Sequence, residues 1–178
     1  MKIVILERNS VGTDVSVDAI GRCGEVTAYA NTTKEEAAGR IADADIVIAN
    51  KTPLNESTLK DAGNVKLICL FATGYDNVDL KYCKSRGIKV ANVVNYSTDA
   101  VAQHTFALCL YLLEKLRHYD EYVKSGQYAA QDRFSNFDIP YTELAGKTWG
   151  IIGMGNIGRK VSQIAQAFGC QVIFHSVT

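Results

Sequence analysis

The chain is predicted to be α/β: a parallel sheet covered on both faces, followed by the opening of a second α/β unit. Three observations predict it. Short apolar runs of four to six residues alternate with helical patterns along the first half, which implies right-handed crossovers between parallel strands. Those runs are apolar on both faces, as a sheet buried on both sides requires. Near the end, an apolar run, Trp149–Ile152, leads into Gly153-Met154-Gly155-Asn156-Ile157-Gly158, an amphipathic stretch, Arg159–Phe168, and a second apolar run, Val172–Phe174.

Taken in order, Ile3–Leu6 reads as a buried strand. Val15–Arg22 reads as a short helix with Val15, Ala19 and Ile20 toward a core. Glu25–Tyr29 is a second strand. Thr33-Lys34-Glu35-Glu36 has the capping-box spacing ahead of a helix over Lys34–Ile41. Ile46–Ala49 is a third strand and Asn55–Ala62 a helix; Leu67–Phe71 is a fourth strand, Val78–Arg86 a helix, and Ile88–Ala91 a fifth strand. The longest helical pattern runs from Thr98 to about Arg117. It carries Val101, Phe106, Leu108, Leu110, Leu112, Leu113 and Leu116 nearly all round, so it is expected to be buried between layers as an interdomain helix. A short helix, Tyr119–Ser125, and a polar, aromatic surface crossing, Gln127–Glu143, complete the path to the glycine-bearing strand.

Composition excludes several classes. With 47% hydrophobic and 21% charged residues the chain has the make-up of an ordinary globular protein. Lys plus Arg equals Asp plus Glu at 19 each, so no global field favours nucleic acid or an anionic membrane. Five scattered cysteines without a C-x-x-C pair argue against a disulfide framework or a zinc site, and Cys69 and Cys109 read as small core residues. MKIVILERN is too short an apolar stretch for a signal peptide, and no run reaches transmembrane length, so the cytoplasm is the expected address.

Two stretches carry chemistry. In the strand–turn–helix–strand context, Gly153 permits a tight turn, Gly155 lets backbone amides approach a pyrophosphate, and Gly158 lets helix and strand pack closely. The helix N-terminus adds unpaired N–H groups and partial positive charge. Phe71 to Asp79 places a glycine-containing turn directly after a strand, where open α/β sheets bind ligands. Free amides in that turn would form a nest for a small anion such as a carboxylate, and Lys51, at the end of the third strand, could be brought to it. The same residues also read as an ordinary turn and a solvated lysine.

These motifs resemble those of the D-isomer-specific 2-hydroxyacid dehydrogenases. Ala72-Thr73-Gly74-Tyr75-Asp76-Asn77-Val78-Asp79 is similar to the family's G-x-D-N/H-V/I-D turn. Ser97 to Thr105 is similar to its S-V-A-E segment, and Leu144-Ala145-Gly146-Lys147-Thr148 with the glycine loop is similar to its cofactor strand and loop. Gln103, where many members have glutamate, looks most like the glycerate dehydrogenase (hydroxypyruvate reductase) branch.

The resemblance implies a flavodoxin-like substrate domain over residues 1–97. It implies the interdomain helix and a truncated Rossmann domain, for NAD or NADP, over residues 98–178. It implies substrate binding by Thr73, Gly74 and Lys51, and cofactor contacts by Val101, Thr105, Gly153, Gly155, Asn156, Ile157 and Gly158. The position that holds an acidic ribose partner in the family matches Ser176, which removes the usual argument for NAD over NADP. The implied activity is hydride transfer between NAD(P)H and a small 2-oxo/2-hydroxy acid, hydroxypyruvate and D-glycerate being the best match, by a homodimer when full-length. No catalytic residue is assigned here. The family's arginine, glutamate and histidine are expected beyond Thr178, so the chain reads as an N-terminal portion, inactive alone, and His104, His118 and His175 read as surface or packing residues. The alternative is a non-catalytic, dinucleotide-sensing regulatory or binding protein of the same fold.

Overall fold

A computed structural model describes residues 1–176. The chain divides into two compact units, with the boundary between Val94 and Asn95. The first unit holds five parallel strands: β1 (Lys2–Ile5), β2 (Glu25–Ala28), β3 (Ile46–Ala49), β4 (Leu67–Leu70) and β5 (Lys89–Ala91). Their order is β2-β1-β3-β4-β5, the flavodoxin-like doubly wound order, whose topological switch point lies between β1 and β3.

Alternation along each strand divides the core. Val4, Leu6, Val47, Ala49, Ile68 and Leu70 face one layer with Ile41, Leu54, Leu59 and Cys83. Ile3, Ile5 and Ile48 face the other, with Val17, Ile20, Cys69 and Phe71 packed against them. Strands apolar on both faces therefore sit between two layers, as their sequences require. The outer strands β2 and β5 are more exposed, because each has a neighbour on one side only.

Helix α1 (Lys34–Ile41) starts at the expected capping box: Thr33 accepts from the Glu36 amide, and Glu36 accepts from the Thr33 amide. The next two helices are shorter than expected. Helix α2 spans only Glu56–Leu59, capped by Asn55, and α3 spans Leu80–Ser85, capped by Asp79. The segment expected as a helix over Val15–Arg22 is instead a 3-10 helix, Asp18–Arg22. Val15 and Ala19 are exposed, and only Ile20 of the three residues expected inward packs on the sheet. Gly21 lies within this segment, where glycine weakens a full amphipathic helix.

In the second unit, α4 (Thr98–Leu113) is followed by α5 (Leu116–Lys124), α6 (Gln127–Ala130), β6 (Thr148–Ile152), α7 (Asn156–Ala167) and β7 (Gln171–His175). The single helix expected to run to about Arg117 breaks at Lys115, whose backbone is left-handed with φ 53°. Helix α4 is also less buried than expected. Ala102 and Phe106 are enclosed, whereas Leu108 and Leu112 are 55% and 66% exposed. Within its unit α4 has one packed side, toward α7 and β6, where Phe106 stacks on Trp149 and Phe168. An apolar circumference says that a helix can be covered, not what covers it. Strands β6 and β7 pair in parallel.

Candidate functional site

The first cluster lies at the carboxyl ends of β1, β3 and β4. Immediately after β1, the Glu7 carboxylate accepts hydrogen bonds from three consecutive backbone amides beyond β3: Asn50 at 2.6 Å, Lys51 at 2.9 Å and Thr52 at 2.7 Å. The Lys51 side chain is exposed. The next loop is stitched to this one. Asn77 Nδ2 donates to the Thr52 carbonyl at 2.9 Å, the Leu54 amide donates to Asn77 O at 2.9 Å, and the Asp79 amide donates to Leu54 O at 2.9 Å.

Thr73 and Gly74 lie at the free end of that loop, both exposed. The loop is anchored on its far side by Thr73 Oγ1 donating to Val93 O at 2.9 Å and by Asn92 Nδ2 donating to Thr73 O at 2.7 Å. The structure thus brings Lys51, Thr73 and Gly74 to neighbouring, mutually braced loops at the ligand-binding end of the sheet. Those bonds engage the hydroxyl and carbonyl of Thr73, not its amide.

The second cluster surrounds the glycine loop. Gly153 has φ +93°, a conformation that favours glycine, and its amide donates to His175 O at 2.8 Å, tying the loop to the end of β7. Gly158 is buried, and a Cβ there would lie 2.2 Å from the Gly153 carbonyl oxygen, so only glycine lets the helix approach the turn. Gly155 differs: its φ is −72° and a Cβ would meet nothing within 4 Å. Nothing in the chain itself demands glycine at that position.

Helix α7 follows Gly155 without a side-chain cap, as do α4, α5 and α6, whereas α1, α2 and α3 are capped by side chains. Its first turn has no acidic residue. Arg159 donates to Met154 O at 3.0 Å and to Asn156 Oδ1, and Asn156 in turn donates to Asn95 Oδ1. Uncapped amides, a positive helix terminus and open backbone at Gly155 fit a phosphate group.

On α4, Val101 is 40% exposed and Thr105 Oγ1 donates back to the Val101 carbonyl at 2.8 Å. Asp99 on the same helix pairs with Lys160 of α7 at 2.8 Å. Ser176 follows directly on β7. The histidines are dispersed, His104 on α4, His118 on α5 and His175 ending β7. Among the described residues no group of three or more His, Cys, Asp or Glu could hold a metal ion, and no helix is long and apolar enough to cross a membrane.

Residue reading had not assigned Glu7, Asn77, Asn92, Asn95 or Arg159. Glu7 left one signal, an acidic residue closing an otherwise apolar first strand. Its meaning depended on β3 lying beside β1.

The profile of the D-isomer specific 2-hydroxyacid dehydrogenase catalytic domain matches residues 3–174. A hydroxypyruvate reductase of Blautia hydrogenotrophica is 36% identical over 177 residues, covering 97% of this chain and 55% of that protein. A glycerate dehydrogenase of Methylorubrum extorquens is 36% identical, covering 99% and 56%. Among solved structures, a D-lactate dehydrogenase from Aquifex aeolicus complexed with NAD and lactic acid superposes with TM-score 0.81 at 28% identity, over 100% of this chain and 52% of that one. An acyclic imino acid reductase in complex with NADPH and D-Arg gives TM-score 0.81 at 30% identity, over 98% and 55%. The chain spans about half the length of the curated relatives it matches. The matched profile, these relatives and the order of the motifs agree: the chain belongs to the D-isomer specific 2-hydroxyacid dehydrogenase family.

Proposed function

We propose that these residues form the substrate-anchoring and dinucleotide-anchoring parts of an oxidoreductase that interconverts a small 2-oxo acid and its 2-hydroxy acid, hydroxypyruvate and D-glycerate first. The observation that carries this reading is the glycine loop. Gly153 and Gly158 are required by the fold, whereas Gly155 is required by nothing in the chain and lies bare at an uncapped helix N-terminus. A backbone kept open there suits a pyrophosphate. Relatives named for hydroxypyruvate and glycerate support the choice of acid.

In this reading the amides of Thr73 and Gly74 hold the acid's carboxylate, and the Lys51 ammonium adds positive charge beside it. The amides at Gly155, Asn156, Ile157 and Gly158 take the pyrophosphate, Val101 and Thr105 line the site from α4, and Gly153 fixes the turn. Ser176 takes the place where a carboxylate would select against a 2′-phosphate, so the cofactor is NAD or NADP. A bound nicotinamide supplies or accepts the hydride. Proton transfer to the carbonyl oxygen falls to a histidine outside these 178 residues, as the family resemblance implies. The chain alone therefore binds but does not turn over, and the full-length protein acts as a homodimer in the cytoplasm.

Calorimetric titration of the 178-residue chain with NADH and with NADPH, paired with a hydroxypyruvate reduction assay, tests this. Saturable dinucleotide binding without turnover is expected. Absence of binding overturns the dinucleotide assignment, and turnover overturns the assignment of the missing acid/base. A non-catalytic dinucleotide sensor is the second reading, favoured by the dispersal of the three histidines. Reduction of hydroxypyruvate by the full-length protein would eliminate it.

A further inference from the structure

We propose that Glu7 is a positioning residue of the substrate-anchoring loops: a carboxylate built into the chain fills an amide nest at the sheet's switch point, and so sets the segment that presents Lys51. This rests on the reading of Lys51, Thr73 and Gly74 as the substrate-anchoring group.

In the β2-β1-β3-β4-β5 order the switch point lies between β1 and β3, where a doubly wound sheet otherwise receives its ligand. The three consecutive amides of Asn50, Lys51 and Thr52 converge there in the manner of an anion nest. They converge on Glu7. One carboxylate oxygen takes the Asn50 amide, and the other takes both Lys51 and Thr52. A charge-assisted contact of this kind is stronger than a neutral one. It holds the backbone of Lys51 itself, so the direction in which the ammonium leaves the loop is fixed by an atom on β1's end.

The effect does not stop at Lys51. The Thr52 carbonyl receives Asn77 Nδ2, and Leu54 exchanges backbone bonds with Asn77 and Asp79. The loop that carries Thr73 and Gly74 is thereby registered against the one that Glu7 holds. The occupied switch point has a second consequence. External anions are kept from the β1–β3 nest, leaving the end of β4 as the place where an acid can settle.

Formate, a carboxylate with no side chain, is the probe. In Glu7→Ala the thermal midpoint of the chain should fall by roughly 5–10 °C. Sodium formate, against sodium chloride at equal ionic strength, should restore most of that loss. The amide resonances of Asn50, Lys51 and Thr52 should shift saturably in the variant and stay still in the unsubstituted chain. In Glu7→Gln the amide side chain occupies the space, so the midpoint should fall and formate should not restore it. Glu7→Asp keeps the charge one methylene short and should lie between, which supplies a folded variant should Glu7→Ala not fold. The proposal is overturned if the midpoint of Glu7→Ala equals that of the unsubstituted chain. It is also overturned if formate rescues Glu7→Gln as fully as Glu7→Ala, or if the 50–52 amides respond to formate equally with and without Glu7. Failure of the substrate reading looks different: hydroxypyruvate leaves Thr73 and Gly74 resonances unmoved in the unsubstituted chain, while formate rescue of Glu7→Ala persists.

Discussion

Gly155 and Gly158 stand in the same loop, yet replacing them with alanine should fail in different ways. At Gly158 the new methyl group would meet the Gly153 carbonyl oxygen at 2.2 Å, a backbone atom that can retreat only if the turn shifts. Overpacking of this kind costs about 1–3 kcal/mol, and thermal unfolding of Gly158→Ala should show it. At Gly155 there is open space and an ordinary φ. Gly155→Ala should unfold within about 0.5 kcal/mol of the parent while binding NADH at least about tenfold more weakly by calorimetry. Equal stability losses in the two variants would remove the distinction. The cysteines make a second prediction at this scale. Burial pushes the thiols of Cys69, Cys83 and Cys109 up, with Asp79 adding to the shift at Cys83 and Cys170 at Cys109. A thiol whose folded pKa is raised contributes stability that is complete below the ordinary thiol range and is lost as pH rises through the folded value. At pH 8 a thiol reagent should modify exposed Cys23 first, half-buried Cys69 and Cys109 more slowly, and buried Cys83 and Cys170 only as the chain opens. Rapid labelling of all five in the native state would contradict this.

The reciprocal cap on α1 is the clearest case of an element written into its own residues. Thr33 and Glu36 satisfy each other's amides, so Thr33→Ala should cost about 1 kcal/mol, measured as a lower urea midpoint with an unchanged slope. Where such a local signal existed, sequence reading found the element to the residue, as at Lys34–Ile41. Where it was read from apolar spacing alone, the ends drifted. The helix expected from Val78 begins at Leu80 because Val78 bridges Leu54 and Asp79 is the cap. The long helix stops at Leu113 because Lys115 takes a left-handed turn that no glycine announced. The site divides along the same line. The glycine loop is legible because its logic is local: a turn, an open backbone and a close approach within six residues. Glu7 was not legible, because its partners lie more than forty residues away and become neighbours only once β3 settles beside β1. Asn77 belongs to the motif after β4, but its brace to Thr52 depends on the same tertiary fact.

Across the whole molecule, the two units differ in how completely their sheets are enclosed. The first has five strands with core on both faces. The second, among the described residues, has two strands, backed by α4 and α7 on one side and carrying Ile152, Ile173 and Phe174 at 93%, 60% and 62% exposure. Two-stranded sheets are marginal without such backing, and local opening follows the sparser packing. Hydrogen exchange should therefore protect the amides of β1, β3 and β4 longer than those of β6 and β7. Equal protection would show that the second unit draws stability from elsewhere.

The boundary at Val94 also has a meaning in time. Every strand of the first sheet precedes it, and β6 does not begin until Thr148. At a synthesis rate of roughly 5–20 residues per second, the ribosome needs between a few seconds and about ten to cover the interval. Small domains close far faster than that. Glu7 can thus be seated in its nest, and the loops of Lys51 and Thr73 registered, before Gly153, the first glycine of the β6–α7 turn, has been added to the chain.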